Sequence, residues 1–175
     1  MHRNNLQCPW TQDPRMQYTE GWNRDIPTLV TNHSRARFIG PVTAYFDEPY
    51  IQYFLAHANP HPYAISWHAY PCQTGTSDPT CMSYTNGEGP NITAANTDMA
   101  NAGVVVPIWI TEWNLDLNGN DSRYTNQSYI QSRIGSELAA FQSEEQTPND
   151  NFAVAMFYNI AANNAYTDLV SSNDT

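Results

Sequence analysis

Three residues of this chain could do chemistry together: Glu112, at the end of VPIWITEWN, and the pair His68 and Tyr70 within YAISWHAYP. A carboxylate closing a β-rich apolar run stands out, because charged side chains are scarce at buried strand ends unless paired or given a task. His68 and Tyr70 are two apart, so on a strand they point to one side. Beside Glu112 on the next strand, they could donate hydrogen bonds to its carboxylate and keep it ionised. An ionised, oriented carboxylate can attack an anomeric carbon and form a glycosyl-enzyme. Spacing alone gives equal weight to a structural role, in which Glu112 caps a helix or pairs with one of the few arginines.

Other chemistries find little support. No G-x-S-x-G elbow offers a serine nucleophile, and no glycine-rich phosphate loop follows an apolar segment. His57 and His61 are four apart but straddle Asn59-Pro60 at an expected helix end, so no metal site is expected. No cofactor is expected either.

The elements that must position these residues alternate. Helical patterns precede or separate four apolar segments: RFIGPVTAY (37–45), YAISWHAYP (63–71), VVVPIWITEWN (104–114) and FAVAMFYNI (152–160). MQYTEGWNRDIPTLVTNH reads as a helix interrupted by Pro27. DEPYIQYFLAHAN reads as a helix capped by Asp47, with Pro49 in its first turn and Ile51, Phe54, Leu55 and Ala58 on one face. NITAANTDMANAG reads as a third, closed by Gly103. The clearest helix carries Ile130, Ile134, Leu138 and Phe141, with Ser128 as its cap.

The order α-β-α-β-α-β-α-β with near-continuous apolar strands implies a parallel sheet buried on both faces and covered by helices. Polar and aromatic residues collect at the C-terminal strand ends: Tyr45, His68, Tyr70, Glu112, Trp113, Asn114, Tyr158 and Asn159. Both (β/α)8 barrels and doubly wound sheets bind ligands at that edge.

Composition narrows the partner. The 175 residues carry a net charge of −10, and Lys plus Arg total only 7, so no basic patch serves a nucleic acid or an anionic membrane. Eleven Tyr and 5 Trp in a weakly charged chain fit a polar, uncharged ligand that stacks on rings, carbohydrate above all, although such rings equally fill cores. Cys72 and Cys81 flank a loop rich in Gly, Ser, Thr and Pro, as a small disulfide staple would, which leaves Cys8 without a mate. Sequons at Asn32, Asn91, Asn120, Asn126 and Asn173 agree with an exported protein. The opening MHRNNLQCPW lacks the pattern of a leader, and the expectation is a secreted parent protein shortened at its N-terminus.

ISWHAYP followed by PIWITEWN resembles the sixth and seventh strands of the clan A retaining glycoside hydrolases, which are (β/α)8 barrels. RFIGP resembles their fifth strand, most closely in the family containing β-xylosidases and α-iduronidase. The likeness covers roughly residues 37 to 114. It implies that the chain is a single partial barrel domain, the C-terminal half. Residues 1–36 would hold the helix before strand five, 37–160 strands five to eight, and 161–175 a terminal loop. It also implies that Glu112 is the catalytic nucleophile, that His68 and Tyr70 support it, and that Trp113 and Asn114 belong to the sugar-binding edge. Tyr45, Tyr158 and Asn159 would join them there, with Tyr158 or Phe157 standing where the clan commonly has a Trp.

Retaining hydrolysis needs a second carboxyl, the acid/base, about 5 Å from the nucleophile. The clan carries it in an Asn-Glu pair on strand four, and no Asn-Glu occurs here. Glu48 is the tempting substitute, yet only one strand separates it from the strand of Glu112, where a fourth-to-seventh traverse needs two. As the first acid of a helix it also suits the helix dipole. Glu20, in a helical stretch, has a weaker claim. The expectation is therefore a fragment of a secreted glycosidase, inactive alone on ordinary glycosides and prone to self-association through open barrel edges. The alternative is a non-catalytic carbohydrate-binding or cell-surface protein on a degenerate barrel.

Overall fold

A computed structural model describes residues 13–70, 88–114, 126–146 and 151–157. Helix α1 (Pro14–Asn32) opens on Asp13, whose carboxylate accepts from the Arg15 backbone N–H at 2.9 Å, with proline at the first helical position, where no donor is lost. The helix does not break at Pro27 but runs through it. The carbonyl that Pro27 leaves without a donor is that of Asn23, an exposed residue, so water can take the place of the missing bond.

Strand β1 (Ile39–Thr43) leads to helix α2 (Glu48–His57). Asp47 caps α2 as its sequence implies, accepting from the Tyr50 N–H at 3.2 Å, and Ile51, Phe54 and Leu55 are fully buried. Strand β2 (Ala64–Ala69) is followed by helix α3 (Glu88–Ala102), which starts three residues ahead of the expected Asn91 and is closed by Gly103 at φ 67°. Strand β3 (Ile108–Trp113), helix α4 (Gln127–Glu145) and strand β4 (Phe152–Phe157) complete the order.

The cap of α4 is Asn126 rather than Ser128, its side chain accepting from the Tyr129 N–H at 3.2 Å. The apolar stripe of α4 is also not the one the periodicity implies. Phe141 is buried, but Leu138 is 51% exposed while Glu137 is 1% exposed. On a helix of 3.6 residues per turn, positions 137 and 138 flank the line from Ile134 to Phe141 on opposite sides. Helix α3 packs along the Glu137 side, and Leu138 is left beside the outer strand β4.

The four strands form one sheet in the order β1-β2-β3-β4, every pair parallel. Sequential parallel strands joined by right-handed crossovers put their helices on one face. The core sits there: Ile65, Trp67 and Ala69 of β2 and Ile108, Ile110 and Trp113 of β3 meet Ile51 and Leu55 of α2, Ile92, Ala95 and Met99 of α3, and Phe141 of α4. A second cluster docks α1 on α2 through Trp22, Phe54 and Ala58, and the Trp22 indole N–H donates to the Pro60 carbonyl at 2.7 Å. Burial on both faces runs unbroken only along Ala64–Trp67 of β2, all at 0% exposure; His68 further along β2 and positions of β1, β3 and β4 stay partly exposed. None of the described helices is long and apolar enough to cross a membrane.

Candidate active site

Alternation along β3 should send Glu112 the wrong way. Ile108 and Ile110 point into the helix layer, and a strict period of two would place Glu112 with them. The register prevents this. Ile65 pairs with Ile108 and Trp67 with Ile110, but His68 pairs with Glu112 and Ala69 with Trp113. Thr111 is the extra residue of a bulge, and its hydroxyl donates to the Trp67 carbonyl at 3.3 Å. One inserted residue turns Glu112 onto the face of His68 and Tyr70, and turns Trp113 into the core.

On that face the Tyr70 hydroxyl donates to Glu112 Oε2 at 2.7 Å, a well-formed hydrogen bond. His68 Nδ1 lies 3.4 Å from the same oxygen, within ion-pairing reach when the imidazole is protonated but long for a hydrogen bond. The His68 and Tyr70 rings meet edge to face at 6.4 Å. The side chains of His68 and Glu112 are 21% and 33% exposed, so the carboxylate is sheltered on one side and open to an incoming molecule on the other.

The remaining sequence-selected residues separate into distinct places. Trp113 is 3% exposed and packs edge to face on Phe141 at 5.4 Å and Phe157 at 4.9 Å, which makes it a core side chain with no ring face for a sugar. The bulge is the cause, since it carries Trp113 to the helix side. Asn114 is buried, and its backbone N–H extends the β2–β3 ladder by donating to the Ala69 carbonyl at 3.2 Å. Tyr45, just past β1, is 65% exposed. Glu48 opens α2 on the exposed surface, and the bond given to its carboxylate comes from Gln52, one turn along the same helix, at 3.5 Å. Glu20 lies on α1, exposed to solvent. Tyr158, Asn159, Cys8, Cys72 and Cys81 lie outside the described residues. Among the described residues no group of three or more His, Cys, Asp or Glu side chains is placed to hold a metal ion.

Sequence reasoning missed Thr111. A hydroxyl residue between Ile110 and Glu112 carries no bulge signature, and the only hint is that Glu112 falls on the isoleucine parity, where a charge would be costly. Chemically, the arrangement is a half-open carboxylate with one firm donor and one titratable neighbour, at the C-terminal edge of a parallel sheet. Compared with known proteins, the chain matches no family model and no curated protein.

Proposed function

We propose that this chain carries the nucleophile side of a retaining glycoside hydrolase, with Glu112 as the residue that attacks the anomeric carbon. The observation that supports this most is the 2.7 Å bond from Tyr70 to Glu112 Oε2, on a carboxylate that stays one-third exposed at the strand edge. With Oε2 engaged by Tyr70 and approached by His68, Oε1 is the attacking atom. A new ester bond forms between Oε1 and the anomeric carbon as the bond to the leaving oxygen breaks. Water then cleaves the ester and restores the carboxylate.

In this reading the four βα units are strands five to eight of a (β/α)8 barrel from a secreted protein acting on carbohydrate. The sequential all-parallel order with helices on one face supports it. So does the apolar margin beside β4, where Leu138 is 51% and Met156 41% exposed, and which a further βα unit would cover. The acid/base carboxyl then comes from outside the described residues, because Glu48 stays on its own helix. Without that acid the chain cannot protonate a poor leaving group.

A panel of 2-deoxy-2-fluoro aryl glycosides with activated leaving groups tests the assignment. The expected result is slow covalent labelling, located at Glu112 by peptide mass spectrometry and lost in Glu112→Gln. Labelling at another carboxylate, or equal labelling of Glu112→Gln, would overturn it. Sugar binding that survives Glu112→Gln without any adduct would instead indicate a non-catalytic carbohydrate-binding protein.

A further inference from the structure

Two carboxyls lie behind the sheet, on the face opposite Glu112, and the proposed hydrolysis uses neither. Glu88 opens α3 and is 4% exposed; Glu137 lies in the middle of α4 and is 1% exposed. The Trp67 indole N–H donates to Glu88 Oε2 at 3.1 Å. Both carboxyl oxygens of Glu137 are buried without a hydrogen-bond partner. We propose that Glu137 is held as a neutral acid and forms, with Glu88, a pH-operated latch between α3 and α4, closed while Glu137 keeps its proton and released when it is lost.

The geometry favours a proton over any other neutraliser. Arg133, one turn before Glu137 on α4, lies over the Tyr129 ring at 5.3 Å, and the ion pairs of the described residues join other groups. The strands behind α4 present Trp67, Ile110, Trp113, Phe152 and Phe157 to the helix layer, with no titratable group among them. From α3 the group that acts on Glu137 is Glu88, while Asp98 is bonded to Gln52 of α2 about three turns further along. A metal cation suits the place poorly, since Glu88 sits at the positive end of the α3 dipole and already accepts an N–H. Among the described residues an ionised Glu137 would thus be buried, unpaired and beside a second carboxyl. Burial first, and Glu88 second, push its carboxyl up to about 8, and burial raises Glu88 as well.

The seam between the two helices opens beyond Glu137. The α4 stripe that holds Glu137 continues through Ala140 and Glu144, where a cavity opens between it and Gly89, Pro90, Thr93 and Ala94 of α3. Deprotonation would draw Glu137 out of the apolar layer towards that opening and part α4 from α3. At the other end of the latch is Trp67, the residue before His68, whose carbonyl accepts from Thr111.

Equilibrium unfolding of the whole chain, wild type against Glu137→Gln, tests the latch. In wild type the unfolding constant should rise by up to about tenfold per pH unit between the unfolded and folded titrations of Glu137, because the folded state alone keeps the proton. Glu137→Gln, an amide of nearly the same shape, should lack that component, and hydrogen exchange across 127–145 should accelerate in alkali in wild type only. Equal pH profiles for the two proteins would overturn the proposal. If Glu137→Gln does not fold, infrared spectroscopy of Glu88→Gln, in which Glu137 is the buried carboxyl of the pair that remains, decides: a protonated-carboxyl band that persists at neutral pH and disappears in alkali supports the latch, and its absence at neutral pH refutes it.

Discussion

The Tyr70 hydroxyl reaches across two parallel strands to Glu112 Oε2 at 2.7 Å, and it can do so only because Thr111 bulges out of the register between them. Glu112 and its donor share a face through one extra residue.

Tyr70→Phe removes that donor and leaves the ring edge against His68. A hydrogen bond to a charged group contributes about 1.5–3 kcal/mol. The rate of Glu112 labelling by an activated fluoroglycoside should fall by roughly 10- to 100-fold, with the fold unchanged by circular dichroism. A rate equal to wild type would remove Tyr70 from the site.

Deleting Thr111 restores strict alternation on β3. Glu112 would then follow Ile110 directly and still alternate onto the face of His68 and Tyr70, and Trp113 would keep its place in the core, because the deleted residue is the one the register skips. What is lost is the Thr111 hydroxyl bond to the Trp67 carbonyl, so stability should fall by only about 0.5–1.5 kcal/mol in urea unfolding and labelling of Glu112 should persist; loss of labelling would show that the bulge itself sets the geometry of the site.

Gly40 of β1 is a contact glycine. A Cβ there would meet Tyr18 Oη at 2.8 Å, Trp22 Cζ3 at 3.1 Å and Phe54 Cζ at 3.4 Å. Gly40→Ala should therefore destabilise by about 1–3 kcal/mol through displacement of α1, read as a lower denaturation midpoint.

Val42, which follows Pro41 in β1, has φ 57° and is 41% exposed. A β-branched side chain in the left-handed region costs roughly 1–2 kcal/mol and has little burial to offset it. Glycine relieves the strain but adds unfolded-state entropy. Val42→Gly should raise stability by a net of about 0.5–1 kcal/mol in urea titration.

Glu137 makes stability depend on pH with a definite sign. Its carboxyl is raised from 4.5 to about 8, so the folded chain holds a proton that the unfolded chain releases between those values. Its contribution is complete below about 4.5, falls as pH rises towards about 8 and is flat beyond. The slope approaches 1.4 kcal/mol per pH unit, and the total is on the order of a few kcal/mol. Glu137→Leu should therefore be more stable than wild type in alkali, with the difference shrinking in acid, as calorimetry across pH would show.

Much of the fold was legible because it rests on local physics. The four βα alternations follow from apolar runs punctuated by caps and breakers, and Asp47 and Gly103 act where a cap and a left-handed residue belong. Local signals misled where solvent or a neighbour intervened. Pro27 leaves α1 intact because the bond it removes faces water, and Asn126 takes the cap from Ser128 two residues away. Of the site, the grouping of His68 and Tyr70 was legible from their spacing, while the sugar-edge role expected of Trp113 was not compatible with its burial against Phe141 and Phe157.

The sequence by itself determined element order, element type and the residues able to supply a carboxylate and its donors, since these depend on neighbours within a few positions. Tertiary structure decided facing. The β2–β3 register set Glu112 beside Tyr70 by admitting Thr111 as a bulge, and the approach of α3 buried Glu137 while leaving Leu138 exposed. A helix or strand pattern fixes which residues share a side only until another element arrives, because one residue of slip reverses a strand face and two flanking helix positions are equivalent until one is covered.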